Sequence, residues 1–307
     1  MYKMHLLLLI FVGLSFVCQS HSENEDINWS EVRPIEYYPK FWDDKPAELR
    51  PDSKFFDKNR YGMTRIVGGR IAHPHQFPYQ AAVLMFIPSI GGEALCGGAL
   101  VGQQTILTAA HCVHQSISGT IILGAHFLTN PNEPNRRRIS VGVESIRMHP
   151  GWSSNSARDD LALIILPAPV QTIPGIIEPL ALPSAVNAGQ TFAGYSGTVS
   201  GWGVFSDSQG QASDVLRYVY NNIMTHAACS VSFPALIHQQ MICLSGANGR
   251  GACSGDSGGP LTVRSAGGQL LHVGVVSLGF APRCEASFPT VFTRTTSYIA
   301  WLQANVI

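Results

Sequence analysis

From residue 66 to residue 307, apolar residues come in short runs broken by Gly, Pro and Asn. A chain punctuated this often cannot build long helices, so its apolar runs have to be buried as strands. Thr198-Val199-Ser200-Gly201-Trp202-Gly203 and Leu271-His272-Val273-Gly274-Val275-Val276-Ser277 are runs of this kind. Helical spacing emerges only near the end, where Tyr298, Ile299, Trp301, Leu302 and Val306 fall on one face. The expected class is all-β with a C-terminal helix, and antiparallel barrels or sandwiches both accommodate the pattern. The length suits one large domain or two small ones.

The N-terminal residues follow different rules. Lys3 precedes an apolar run that opens with residues 6–12 and ends near Val17, too short for a comfortable membrane span. Residues 1–20 are expected to be a secretory signal cut after Ser20. No later segment is long and apolar enough to cross a bilayer. The chain has 7 cysteines, and Cys18 leaves with the signal. Cys96, Cys112, Cys229, Cys243, Cys253 and Cys284 remain, an even set that implies disulfides in a secreted, extracellular protein, with about 15 pairings open to it. Paired C-x-x-C spacing is absent, so no metal is expected at the cysteines. Acidic and basic residues balance at 20 each, and no Lys follows Arg65. Arg136-Arg137-Arg138 is the one dense basic run, and without supporting clusters it reads as a solvated loop, not a nucleic-acid surface. Glu133 in the same loop lacks the companion carboxylates of a calcium site.

Three stretches carry chemistry, in this order: Arg65-Ile66-Val67-Gly68-Gly69, Thr108-Ala109-Ala110-His111-Cys112 and Gly255-Asp256-Ser257-Gly258-Gly259-Pro260. A serine hydroxyl needs a base to take its proton, and histidine titrates near the working pH. A carboxylate then fixes the imidazole tautomer. Residues 255–259 also fit a G-x-S-x-G nucleophile elbow, but that fold runs Ser, acid, His. Here the order is His111, Asp160, Ser257, and no Asp follows Ser257. Together the three stretches resemble the chymotrypsin-like (trypsin-fold) serine proteases, over nearly all of residues 66–307.

The resemblance implies two packed six-stranded antiparallel β-barrels with the active site in the cleft between them. It implies His111, Asp160 and Ser257 as the triad, with Asp160 chosen over Asp159 because it directly precedes Leu161-Ala162-Leu163. It implies the Gly255 and Ser257 amides as oxyanion donors, which flanking glycines allow to converge. The implied disulfides are Cys96–Cys112, Cys229–Cys243 and Cys253–Cys284. Arg65–Ile66 is where the family is cut, so residues 21–65 are expected to be a mostly extended propeptide and 66–307 the peptidase domain. The freed Ile66 amine is then expected to pair with Asp256, and the pocket to be poorly formed before the cut. Pro34, Pro39, Pro46 and Pro51 disfavour helix or paired strand in the propeptide, and Asn28-Trp29-Ser30 is a glycosylation sequon there.

The pocket is more particular. In the family, the residue six before the nucleophile forms the pocket base, and here it is Gly251, where trypsins have Asp. Ser254, Ser277, Leu278 and Gly279 complete the expected binding positions, and Thr290 on a deep wall should shorten the pocket. The resemblance implies protein or peptide substrates with uncharged side chains (Leu, Met, aromatic) before the scissile bond, an activating trypsin-like protease, protein inhibitors, a monomer, no cofactor and a digestive role in an arthropod. Residues 279–289 also resemble the brachyurins, so a broad or elastase-like protease is the alternative. A partner-binding homologue without catalysis is a further one, opposed by the complete triad.

Overall fold

The structure is a computed structural model and describes residues 27–45, 47, 50–51, 69–206, 211–234, 236–278 and 284–307. The expected signal (1–20), the Arg65–Ile66 bond and Gly279 lie outside the described residues.

Two two-residue strands, β1 (Arg33–Pro34) and β2 (Arg70–Ile71), come first. A first sheet is then built from β3 (Gln80–Ile87), β4 (Gly92–Leu100), β5 (Thr105–Thr108), β6 (Ser118–Leu123), β7 (Arg137–Gly142), β8 (Ile146–Met148) and β9 (Ala162–Ile165). Its order is β7-β6-β3-β4-β5-β9-β8. β7 and β8 are halves of one strand bent at a single 3-10 turn, Val143–Ser145. The first half pairs with β6 and the second with β9, so one bent strand joins both ends of the sheet and removes its edges.

The second sheet contains β10 (Ser196–Gly201), β11 (Arg217–Asn222), β12 (Met241–Leu244), β13 (Pro260–Arg264), β14 (Leu270–Leu278) and β15 (Thr290–Arg294). Its order is β12-β15-β14-β13-β10-β11, with β2 added beyond β11. An Ile223–Leu244 bridge and a 2.9 Å bond from the Met224 N–H to the Cys243 carbonyl bring its ends together. Counting the bent strand once, the fold is two curled six-stranded antiparallel barrels, as expected.

Period-two alternation explains why the apolar runs are nearly continuous. On β3, Ala81, Val83 and Met85 enter the first barrel's core. Ala82 and Leu84 face the other way, into a second cluster with Leu95, Trp202 and Leu216. A strand buried on both faces has no need of polar alternation. The core of the second barrel gathers Val199, Ile242, Leu244, Leu261, Val263, Val273 and Phe292.

Among the described residues α-helix is confined to α1 (Ala110–Val113), α2 (His226–Ser232) and α3 (Ile299–Asn305). The Ala228 N–H donates to the Thr225 hydroxyl at the start of α2, which supplies a partner for one of the first-turn amides. α3 follows the expected apolar face, with Leu302 buried. The bonded cysteines are Cys96–Cys112, Cys229–Cys243 and Cys253–Cys284.

Arg137 and Arg138 are exposed, while the partly buried Arg136 guanidinium donates to the carbonyls of Phe127, Leu128 and Asn130 and staples its own loop. Glu133 accepts the amides of His126 and Phe127, which uses its carboxylate within the same loop. The N-terminal segment is also more structured than its prolines suggested. Arg33–Pro34 pairs in parallel with Ala94–Leu95 of β4, and 3-10 turns follow at Ile35–Tyr37 and Pro39–Trp42. Pro39 is tolerated because it opens its turn, where no N–H partner is required.

Candidate active site

His111 lies in α1, directly after β5 and beside the Cys96–Cys112 bridge. Asp160 lies just before β9, the strand that pairs with β5, so sheet register brings the two together. Asp160 Oδ2 is 2.7 Å from His111 Nδ1, and its Oδ1 accepts the His111 backbone N–H at 2.9 Å. The Ser277 hydroxyl donates to Oδ2 as well, at 2.5 Å. Asp160 is fully buried. Burial alone would raise its carboxyl, but the His111 ring and the hydrogen bonds from His111 and Ser277 outweigh that and hold it below the ordinary value. Asp159 turns away at a left-handed φ of 52° and accepts the Tyr298 hydroxyl at 2.7 Å. Of the paired aspartates it is thus Asp160 that lies against His111, while Asp159 lies against Tyr298.

Ser257 reaches the cleft from the other barrel. Its carbonyl accepts the Gly97 N–H of β4 at 2.7 Å, which ties the serine turn to the first barrel. Gly255 adopts a φ of 92°, and a Cβ there would meet Pro34 Cγ at 3.3 Å and Gly203 Cα at 3.2 Å. Only glycine satisfies both the conformation and the crowding.

The serine hydroxyl does not point at His111. It donates to Glu36 Oε1 at 2.5 Å, and the Gly255 N–H donates to Glu36 Oε2 at 3.1 Å. His111 Nε2 is buried with no hydrogen-bond partner among the described residues. Burial raises the Glu36 carboxyl above its ordinary value, and the Ser257 bond, the nearby His111 and the Gly255 amide offset this only in part. Phe41 from the same segment sits edge-on to the His111 ring at 5.5 Å. The Trp42 indole donates to the Glu36 carbonyl at 2.8 Å and braces the turn.

Beside Ser257 opens a pocket lined by Gly251, Ala252, Ser254, Val276, Ser277, Leu278, Phe288, Pro289 and Thr290, with Glu36, Phe41, Trp42 and Lys45 on its N-terminal-segment side. Gly251 and Thr290 face each other: a Cβ on Gly251 would meet Thr290 Oγ1 at 2.7 Å. Thr290 is held there by the Ala252 N–H, which donates to its hydroxyl at 3.1 Å. No carboxylate of the peptidase portion lines this pocket among the described residues. The pocket positions named from the sequence therefore come together, Gly279 excepted.

Asp256 accepts the Gly203 N–H on one oxygen at 2.8 Å and the Cys253 N–H on the other at 3.0 Å. Burial pushes its carboxyl up to about 6, the two amides opposing and Glu36 adding to the rise. A second cavity, lined by Gly69, Gly201, Phe205, Arg217 and Tyr218, opens beside it. Two backbone amides thus hold Asp256, and Gly251, Ser254, Ser277 and Thr290 line the pocket nearby among the described residues.

Cys96, His111 and Cys112 lie close enough to suggest a metal cluster, but the cysteines are bonded to each other and offer no thiolate. Glu36, Phe41, Trp42 and Lys45 are site residues that motif reading missed. Their one signal was the aromatic run Tyr37-Tyr38-Pro39-Lys40-Phe41-Trp42 in an otherwise polar segment.

A family model described as Trypsin matches residues 66–302. The chain is 37% identical to brachyurin from Leptuca pugilator over 78% of this chain and 98% of that protein. It is 36% identical to chymotrypsin from Phaedon cochleariae, over 78% of this chain and 82% of that protein. Among solved structures, HL collagenase aligns with a TM-score of 0.69 at 32% identity, covering 78% of this chain and 98% of that one.

Proposed function

The chain belongs to the trypsin family of serine proteases, and from that premise we propose that it is a secreted zymogen of a chymotrypsin-like endopeptidase. In this reading residues 1–20 are the signal, 21–65 the propeptide and 66–307 the two-barrel peptidase. His111 is the general base, Asp160 orients it, and Ser257 attacks the scissile carbonyl. The Gly255 and Ser257 amides receive the oxyanion. The observation that carries the triad is the double attachment of Asp160 to His111, through Nδ1 and the backbone amide. That arrangement leaves Nε2 as the ring nitrogen aimed at the cleft.

Activation is proposed to follow cutting at Arg65–Ile66 by a trypsin-like protease, with the new amine entering the cavity beside Asp256. Its ammonium would find a carboxylate whose charge burial otherwise disfavours. Specificity is proposed for uncharged side chains. A pocket with Gly251 at its base gains from apolar burial, at about 25 cal/mol per Å², and among the described residues of 66–307 no carboxylate lines it for Arg or Lys. Leu and Met are the preferred residues before the scissile bond, with Phe and Tyr tolerated. The three disulfides fit secretion, and no helix among the described residues is long and apolar enough to cross a membrane. The likeness to brachyurin, chymotrypsin and collagenase supports a digestive role, with protein inhibitors and a monomeric state as the accompanying proposals.

The test is a fluorophosphonate titration before and after tryptic cutting, followed by a cleavage profile on a peptide library. One reactive serine per cut chain and a Leu/Met-rich profile are expected. An unreactive cut chain, once separated from its N-terminal segment, would overturn the enzyme assignment, and a profile dominated by Arg or Lys would overturn the pocket reading.

A further inference from the structure

Resting on Ser257 as the nucleophile, we infer that the propeptide is itself an active-site inhibitor, with the Glu36 carboxyl occupying the oxyanion site whether or not the Arg65–Ile66 bond is intact. The two Glu36 oxygens take up the attacking hydroxyl and one of the two amides that a substrate carbonyl would engage. One accepts the Ser257 hydroxyl at 2.5 Å, and the other accepts the Gly255 amide at 3.1 Å. The serine proton is thereby aimed away from His111, whose Nε2 has no partner among the described residues. A carboxyl group presented this way is not a substrate: displacement at its carbon would have to expel an oxygen and not an amine, and no peptide bond is broken.

The carboxyl is held by anchors on both sides. Before it, Arg33–Pro34 pairs with Ala94–Leu95, and Ile35 is 2% exposed. After it, the Tyr38 hydroxyl donates to the Glu93 carbonyl at 3.0 Å. Lys45 Nζ donates to the Ser154 carbonyl at 3.1 Å and lies over the Phe41 and Trp152 rings at 4.9 and 5.4 Å. Phe41 packs edge-on against His111, and Phe41 and Trp42 form part of the lining of the pocket beside Ser257. None of these contacts involves residue 65. Residues 21–65 contain no cysteine, so after the cut they leave by dissociation alone. A segment anchored over this many contacts remains bound at high concentration, and dilution frees the enzyme by mass action.

The experiment uses the full chain, cut with trypsin and freed of its N-terminal pieces by gel filtration, with residues 21–65 made separately as an intact fragment because trypsin also cuts after residues such as Arg33, Lys40 and Lys45. Titration with fluorophosphonate first verifies the nucleophile. The purified fragment is then returned to the active enzyme, which is identical in sequence whichever Glu36 variant it came from. Competitive inhibition is expected, at least about tenfold weaker with the Glu36→Ala fragment and intermediate with Glu36→Gln, which keeps the shape but loses the charge. In parallel, the uncut Arg65→Gln chain should label at least about fivefold faster once Glu36→Ala is added. An active enzyme that the wild-type fragment does not inhibit, or that the Glu36→Ala fragment inhibits equally, overturns the inference while leaving the protease assignment intact. A purified cut enzyme that does not label overturns the Ser257 assignment instead.

Discussion

At the scale of single residues, two buried histidines behave in opposite ways. His111 has its Nδ1 held by Asp160 and its Nε2 buried without a partner among the described residues, and in the proposed mechanism it shares one proton transfer with Ser257. Ser257→Ala and His111→Ala should therefore each lower kcat/KM of the cut enzyme by about 10⁴-fold or more, and the double variant should lose little beyond either. Multiplicative losses in matched steady-state assays would show that the two act separately. His272 has no such task. It is wholly buried in the second barrel, and neither ring nitrogen has a partner among the described residues. Burial lowers its pKa to about 3, against an unfolded value near 6.5. For a base whose folded pKa is depressed, stability is full above about 6.5 and is lost as pH falls towards about 3. The loss reaches about 2 kcal/mol by pH ~5, since each unit is about 1.4 kcal/mol. His272→Leu should flatten the fall in Tm between pH 7 and pH 5; an unchanged slope would mean that His272 is not the acid-sensitive group.

Elements were legible in the sequence where apolar runs were punctuated, and the triad where motif order was distinctive. The strands around Thr198–Gly203 and Leu271–Ser277 emerge as β10 and β14 because both faces of each are packed. What periodicity could not supply was the pairing: β7 and β8 serve opposite ends of a sheet only because a 3-10 turn bends one strand between them. The Glu36 segment was hidden for a similar reason. Its sequence has too little periodicity to name an element, and its partners, Glu93, Ser257 and Ser154, are far away along the chain. Pocket depth was partly readable, and β15 shows why. Thr290, at the start of that strand, is fixed by the Ala252 amide and stands opposite Gly251. Replacing it with Gly removes Cβ with its methyl and hydroxyl from the pocket end, so the Phe-to-Leu ratio of kcat/KM should rise about tenfold. Matched peptides differing only before the scissile bond give this ratio. No change in it would remove Thr290 from the specificity argument.

For the whole molecule, the proposed activation links a cut after Arg65 to a carboxylate in the second barrel, Asp256. In the uncut chain Asp256 is held by two backbone amides, and burial keeps its carboxyl at about 6, above an unfolded value near 3.8. For an acid whose folded pKa is raised, the contribution is fully present below about 3.8 and is lost as pH rises through about 6. An ammonium entering the adjacent cavity would favour the charged carboxylate, and departure of Glu36 would remove a like charge that adds to the rise. The purified cut enzyme should then escape the loss that the uncut chain suffers. The Tm gap between the two should widen between pH 4 and pH 7, by about 2–4 °C per kcal/mol for a domain of this size. Asp256→Asn, measured in both forms, should abolish that pH dependence, and Arg65→Gln should yield a chain that trypsin neither cuts at that bond nor activates. N-terminal sequencing of the active wild type should begin at Ile66. Full activity from a chain still joined through residue 65, or a Tm gap that stays constant across this range, would separate activation from the Asp256 carboxylate.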